Sequence, residues 1–120
     1  MNKQIGKITQ KVIDTLNLKV EKNTPIYIGD SNIQHIKIRH PKDYEKYGKN
    51  IVDIIKNPTY VARDEKKNSI EYIKEYKIDN DLVLVVVRAS GKNKQFVRTM
   101  YVMADDKVEK YRKYNYLKKI

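Results

Sequence analysis

Six consecutive apolar residues, Leu82 to Val87 (LVLVVV), constrain the fold more than any other stretch of the chain. A strand sends successive side chains to opposite faces, so a strand with no polar alternation has to be buried on both. Six residues is strand length, far short of the roughly 20 apolar residues that cross a bilayer. The run therefore predicts the central strand of a sheet. Flanking runs with strand character, Tyr60 to Arg63, Ile70 to Lys77 and Phe96 to Met103, are bounded by turn residues such as Asp79, Asn80, Ser90 and Gly91. With Leu82 to Ala89 they read as an antiparallel meander of about four strands. Ile70 to Tyr76 alternates, which predicts one wetter face for that strand.

Ahead of the sheet the period changes. Ile5, Ile8, Val12, Ile13 and Leu16 follow the i, i+3, i+7, i+8, i+11 series, which predicts an amphipathic helix over 3–17, the core of an N-terminal segment 1–20. Asn23 to Pro25 breaks that pattern, and Ile26 to Ile28 reads as a short extended segment ending at Gly29. Asp30 or Ser31 is a good N-cap for a short helix carrying Ile33, Ile36 and His40, although the alternation Ile36, Lys37, Ile38, Arg39 also suits a strand. Pro41 disfavours helical geometry at His40 and favours a new helix start, which puts His40 at a helix boundary. Tyr44, Tyr47, Ile51, Ile54 and Ile55 then predict one helix, tolerating Gly48 and stopping at Asn57 and Pro58. A last short helix is expected from Asp105, carrying Val108 and Tyr111. Helices first and sheet afterwards is an α+β class: N-terminal helices packed on an antiparallel sheet of about four strands, with a short C-terminal helix. At 120 residues this is one domain, 1–120.

Without cysteine the chain has no disulfide framework, no Cys-based zinc site and no thiol nucleophile. Lysines interrupt the N-terminal apolar positions, unlike a secretory signal, so a cytoplasmic location is the expectation. The 26 Lys and Arg against 15 Asp and Glu leave a net charge of +11, which attracts a polyanion such as RNA, or coats the surface generally with lysine.

Chemistry-bearing residues gather in three places. Gln34 to Pro41 sets His35, Arg39 and His40 within six residues; histidine serves as acid or base near neutral pH and arginine holds phosphate through two prongs, while ordinary surface and cap roles stay open. No metal spacing accompanies the histidines. On the strands, Thr99 and Tyr101 share one face and Arg98 takes the other, with Arg88 on the adjoining strand and Lys74 on the one before; strand propensity and solvated charge explain the same residues equally. The tail, 107–120, interleaves Lys110, Arg112, Lys113, Lys118 and Lys119 with Tyr111, Tyr114 and Tyr116. That composition suits single-stranded nucleic acid, or a C-terminal helix whose tyrosines pack back on the core. A P-loop, dinucleotide fingerprint, nucleophile elbow and zinc-finger spacing are all missing.

The order of these segments resembles the phage-associated nucleases of the barnase, EndoU, colicin-type tRNase and RelE-like (BECR) superfamily. It does so through His35-Ile36, Arg39-His40-Pro41, the helix end at Ile51 to Pro58 and the strand bearing Arg98-Thr99-Met100-Tyr101, over a nuclease core of 25–116. The resemblance implies an active site on the exposed sheet face. His40 or His35 would be acid or base, Arg88 and Lys74 would bind the scissile phosphate, and Thr99 with Tyr101 would complete the site. Arg39, Arg98, Lys110, Arg112, Lys113, Tyr111 and Tyr114 would hold RNA. The implied activity is metal-independent cleavage of RNA, tRNA included, by the 2′-hydroxyl, with no cofactor, in a mobile-element or toxin setting that brings an immunity or antitoxin protein as partner and involves no membrane. The sequence departs from the best-known members in lacking a clear catalytic Glu and His pair on the sheet. A non-catalytic nucleic-acid-binding module and a protein-interaction module of a phage-like element stay open beside it.

A polyphosphate partner has a measurable signature. RNA affinity should fall steeply, log-linearly, as salt rises from 50 to about 200 mM, read by fluorescence anisotropy; a flat response would remove the polyanion reading.

Overall fold

The computed structural model describes residues 1–90 and 93–120; Gly91, assigned above to the turn after the central strand, lies outside them. In chain order the described residues form β1 (Asn2–Lys7), α1 (Gln10–Leu16), β2 (Pro25–Gly29), α2 (Asp30–Arg39), α3 (Pro41–Tyr47), a 3-10 turn (Gly48–Asn50) and α4 (Ile51–Lys56). The second half runs β3 (Tyr60–Asp64), β4 (Ser69–Tyr76), β5 (Asp81–Ala89), β6 (Gln95–Val102), α5 (Asp105–Lys113) and β7 (Lys118–Lys119). The class is α+β, as expected. The sheet, however, has seven strands in the order β1-β2-β6-β5-β4-β3-β7, and all neighbours are antiparallel except β2 and β6.

Strand β5 is buried on both faces over Leu82 to Val87, as expected. Val83, Val85 and Val87 pack with Val12, Ile36, Tyr47, Ile54 and Ile55 from α1 to α4. Leu82, Leu84 and Val86 face the other way, where Val108 and Tyr111 of α5 close a second, smaller core. At about 25 cal/mol per Å² of apolar surface, neither face of such a strand is stable against water, so both layers are required.

Three expectations are corrected. The helix over 3–17 is a strand followed by a short helix. Thr9 accepts the Val12 N–H at 3.3 Å and caps α1, and residues before it pair with β2, with a bulge between Gln4 and Gly6. Gly6 lies so close to α4 that a Cβ there would stand 2.9 Å from the Ile55 methyl. The long helix from Tyr44 to Ile55 is broken into α3 and α4 by the 3-10 turn. The wetter face of β4 is dry instead, since Ser69 to Ile73 are all buried beneath one layer or the other. Of the expected turn residues, Asn80 takes positive φ in its hairpin; Asn68 does the same in the hairpin before it and Asn17 at the end of α1, a conformation asparagine tolerates.

One contact sets the corner where the histidines lie. Strand β2 pairs with β6 only at Gln95 and Phe96, so beyond that point one edge of β6 has no strand beside it. Asp43, in the first turn of α3, accepts the Val102 N–H at 3.0 Å and supplies the missing acceptor. This fixes the α2–α3 corner, and with it His40, against β6. Asp43→Ala should lower stability by roughly 1.5–3 kcal/mol, the range for hydrogen bonds to charged groups, in urea unfolding followed by circular dichroism. A loss under about 0.5 kcal/mol would show that the corner is held by packing alone.

Candidate functional site

The α5 side of the sheet is a grid fixed by register. Ser69, Arg88 and Phe96 form one row across β4, β5 and β6, Glu71, Val86 and Thr99 the next, and Ile73, Leu84 and Tyr101 the third. A bulge between the first two rows makes Arg98 the extra residue of β6. Helix α5 lies over the third row. Lys107 and Tyr111, four residues apart and so on one helix face, both reach the sheet. The Lys107 ammonium donates to the Tyr101 hydroxyl and lies 4.7 Å from that ring's centre. The Tyr111 hydroxyl donates to Glu71 Oε1 at 2.7 Å. From the other flank, His40 brings its ring to 5.1 Å from the Tyr101 ring. At the far end, Arg88 Nε donates to Ser69 Oγ at 3.0 Å.

Glu71 is the unusual member, because it is a carboxylate only 5% exposed on a sheet face. Burial pushes its pKa up, and the Tyr111 hydroxyl and the Lys107 charge only partly oppose this. The Tyr111 hydroxyl is itself held well above its ordinary range, by burial first and then by Glu71. A buried acid with a raised pKa, next to a cation and at the edge of a cleft, is the arrangement that tunes a general acid or base.

The structure brings together some of the expected residues and separates others. His40, Tyr101, Tyr111 and Arg88 share the Glu71 face. Arg88 lies four residues along β5 from Leu84, the partner of Tyr101, so the two ends of the site are about 13 Å apart at 3.3 Å per residue. His35 points from α2 into solvent with no hydrogen-bond partner among the described residues, and Arg39 is exposed in the last turn of that helix. Lys74 is on the opposite face of the sheet, where its ammonium meets Asp53 Oδ2 at 2.7 Å, so it does not join Arg88. Thr99 shares the Tyr101 face, as expected, but its hydroxyl is buried and has no partner among the described residues, which keeps it from solvent. The face is also less open than expected, because α5 covers part of it. Arg98, Lys110, Arg112, Lys113 and Tyr114 are exposed.

Glu71, Ser69 and Lys107 escaped the sequence reading. The available signal was Glu71 itself: glutamate is depleted in strands, and one beside a strand with two apolar faces must lie against an apolar neighbour, here Val86. What hid it was the assumption of a wet face on β4.

Among the described residues no helix is long and apolar enough to cross a membrane, and no three His, Asp or Glu side chains come together as metal ligands. A cavity of about 1020 Å³, lined by Ile5, Val12, Ile55 and Tyr72 between β1, α1 and α4, is remote from this site. A cleft of about 730 Å³ does reach the site: Glu71 and Tyr111 line it together with Tyr114 and Tyr116.

No curated protein and no solved structure matches the chain. One family does, through residues 3–110 of the 120, a span that holds His40, Glu71, Arg88, Tyr101 and Lys107. With that match covering nine-tenths of its length, the chain belongs to the family described as phage-Barnase-EndoU-ColicinE5/D-RelE like nuclease3.

Proposed function

We propose that this nuclease-family domain is an endoribonuclease of mobile-element or toxin type that cleaves RNA through its own 2′-hydroxyl, without a metal ion. The observation that carries the reading is Glu71, a buried carboxylate with a raised pKa, set between Arg88 at one end of its sheet face and the Lys107–Tyr101–His40 group at the other. In the proposed reaction the Glu71 carboxylate takes the 2′-hydroxyl proton, in the position that the Tyr111 hydroxyl now occupies. The 2′-oxygen attacks phosphorus, and Arg88 and Lys107 stabilise the charge on the pentacovalent phosphate. The bond from phosphorus to the 5′-oxygen breaks, and His40 gives that oxygen a proton. The products are a 2′,3′-cyclic phosphate and a 5′-hydroxyl. RNA, tRNA included, is the proposed substrate, and an immunity or antitoxin protein the proposed partner.

The second reading, a non-catalytic nucleic-acid-binding module, is favoured by one observation: Tyr111 covers Glu71, as a purely structural hydrogen bond would. It predicts salt-sensitive binding with no turnover.

The two readings differ under Glu71→Gln. The catalytic reading expects cleavage of RNA in EDTA to fall by about 10²–10⁴-fold, with comparable losses for Arg88→Ala and His40→Ala, and Lys74→Ala unchanged. RNA incubated with the wild type and mapped for cyclic-phosphate ends measures this; an intact substrate, or full activity in Glu71→Gln, would sink the assignment.

Stability should move the opposite way. A carboxyl whose pKa is raised by folding contributes stability that is present below its unfolded pKa of about 4.3 and is lost as pH rises through the folded value. At pH 7 the Glu71→Gln protein should therefore melt at or above the wild-type temperature, with the difference vanishing near pH 4. A large loss of melting temperature at pH 7 would make Glu71 a structural residue.

A further inference from the structure

Tyr114 and Tyr116 are the two aromatic side chains with the largest exposure among the described residues, at 54% and 47%. Their rings are stacked, with centres 5.7 Å apart and planes 27° from parallel, and Tyr111 meets Tyr116 edge-on at 5.5 Å. The three rings line the 730 Å³ cleft whose inner end is Glu71. That volume is within the roughly 300–1,000 Å³ range of small-molecule sites.

The charge of the cleft says which part of a nucleotide it takes. Arg63, Lys66, Lys110 and Lys118 line it, but so do Asp64, Glu65 and Glu71, so the interior is nearly balanced and is a poor seat for a phosphate. A flat, uncharged ring with donors and acceptors at its edge suits it better. A further cation stands outside the lining: Lys113 lies over Tyr114, 5.6 Å from the centre of its ring. Base inside and backbone at the rim is the arrangement by which aromatic platforms hold single strands.

We infer that this cleft, between the end of α5 and the start of the β3–β4 hairpin, seats one unpaired nucleobase of single-stranded RNA against the Tyr114–Tyr116 stack. The inference rests on the RNA reading above and deepens it: the seated base adjoins the phosphate presented to Glu71, so the enzyme acts on single-stranded segments. Duplex RNA, with its bases stacked internally, has none to offer the cleft.

The test uses the full chain and a fluorescein-labelled, 2′-O-methyl oligonucleotide, which cannot be cleaved, as a single strand and as a duplex at one moderate salt concentration. The wild type should bind the single strand more tightly. Tyr114→Ala with Tyr116→Ala should weaken single-strand binding by about tenfold or more and leave duplex binding unchanged, whereas the double Phe variant, which keeps both rings, should bind as the wild type does. Circular dichroism melting of both variants checks that they fold. Equal single-strand affinity in the folded Ala variant would overturn the inference, as would equal losses for the Phe and Ala variants or failure of the wild type to prefer the single strand. Cleavage assays separate this from the catalytic reading. Ring-dependent binding without turnover removes catalysis and keeps the cleft, and turnover with ring-independent binding does the reverse.

Discussion

Burial of β5 on both faces is the constraint from which the other features follow. Leu82, Leu84 and Val86 need an apolar cover as much as Val83, Val85 and Val87 do, and among the described residues α5 is the helix that supplies it, through Val108 and Tyr111. Once Val108 and Tyr111 are committed to that cover, Lys107 is carried onto Tyr101 and the Tyr111 hydroxyl onto Glu71. Core formation and site assembly are thus one event on this side of the sheet. The helix that completes the hydrophobic layer also decides which polar groups meet.

Two acidic residues on opposite faces of the sheet show how differently a carboxylate can be used. Asp53 is nearly half exposed, and the hydrogen bond from Lys74 keeps its pKa below the ordinary range, an inexpensive surface pair of small energetic weight. Glu71 is dry, its raised pKa records the cost of desolvating its charge, and a single hydroxyl donor offsets only part of that cost. A well-packed apolar residue at position 71 would avoid the penalty altogether. At the inner end of the cleft and beside a cation, this dry acid costs the fold stability where an apolar residue would not.

Much of the chain was readable because its cues are local. The helix boundary at His40 follows from the conformational restriction that Pro41 places on the residue before it, and the turn at Asn80 follows from asparagine's tolerance of the left-handed region. The misreadings came where a local cue competed with a distant partner. Ile5 and Ile8 match a helical spacing, yet Ile5 is buried as part of a strand because β2 offers hydrogen bonds that only an extended chain can take. The strand Ile70 to Tyr76 alternates as if one face were wet, and a helix some 35 residues later dries it. Lys74 and Arg88 were grouped by adjacency of strands, whereas the pleat sends them to opposite faces.

By itself the sequence determined the central strand, the turn positions, the corner at His40 and the excess of positive charge, because each depends on residues within one or two turns of chain or on a simple sum. Only the tertiary structure decided that the N-terminus is a strand, that α5 covers part of the sheet face, and that Glu71, absent from every local motif, is buried there under the Tyr111 hydroxyl and near the Lys107 charge. The physical reason is range. Propensity and capping act between near neighbours, whereas desolvation of a carboxylate depends on everything packed around it, however far away in the chain.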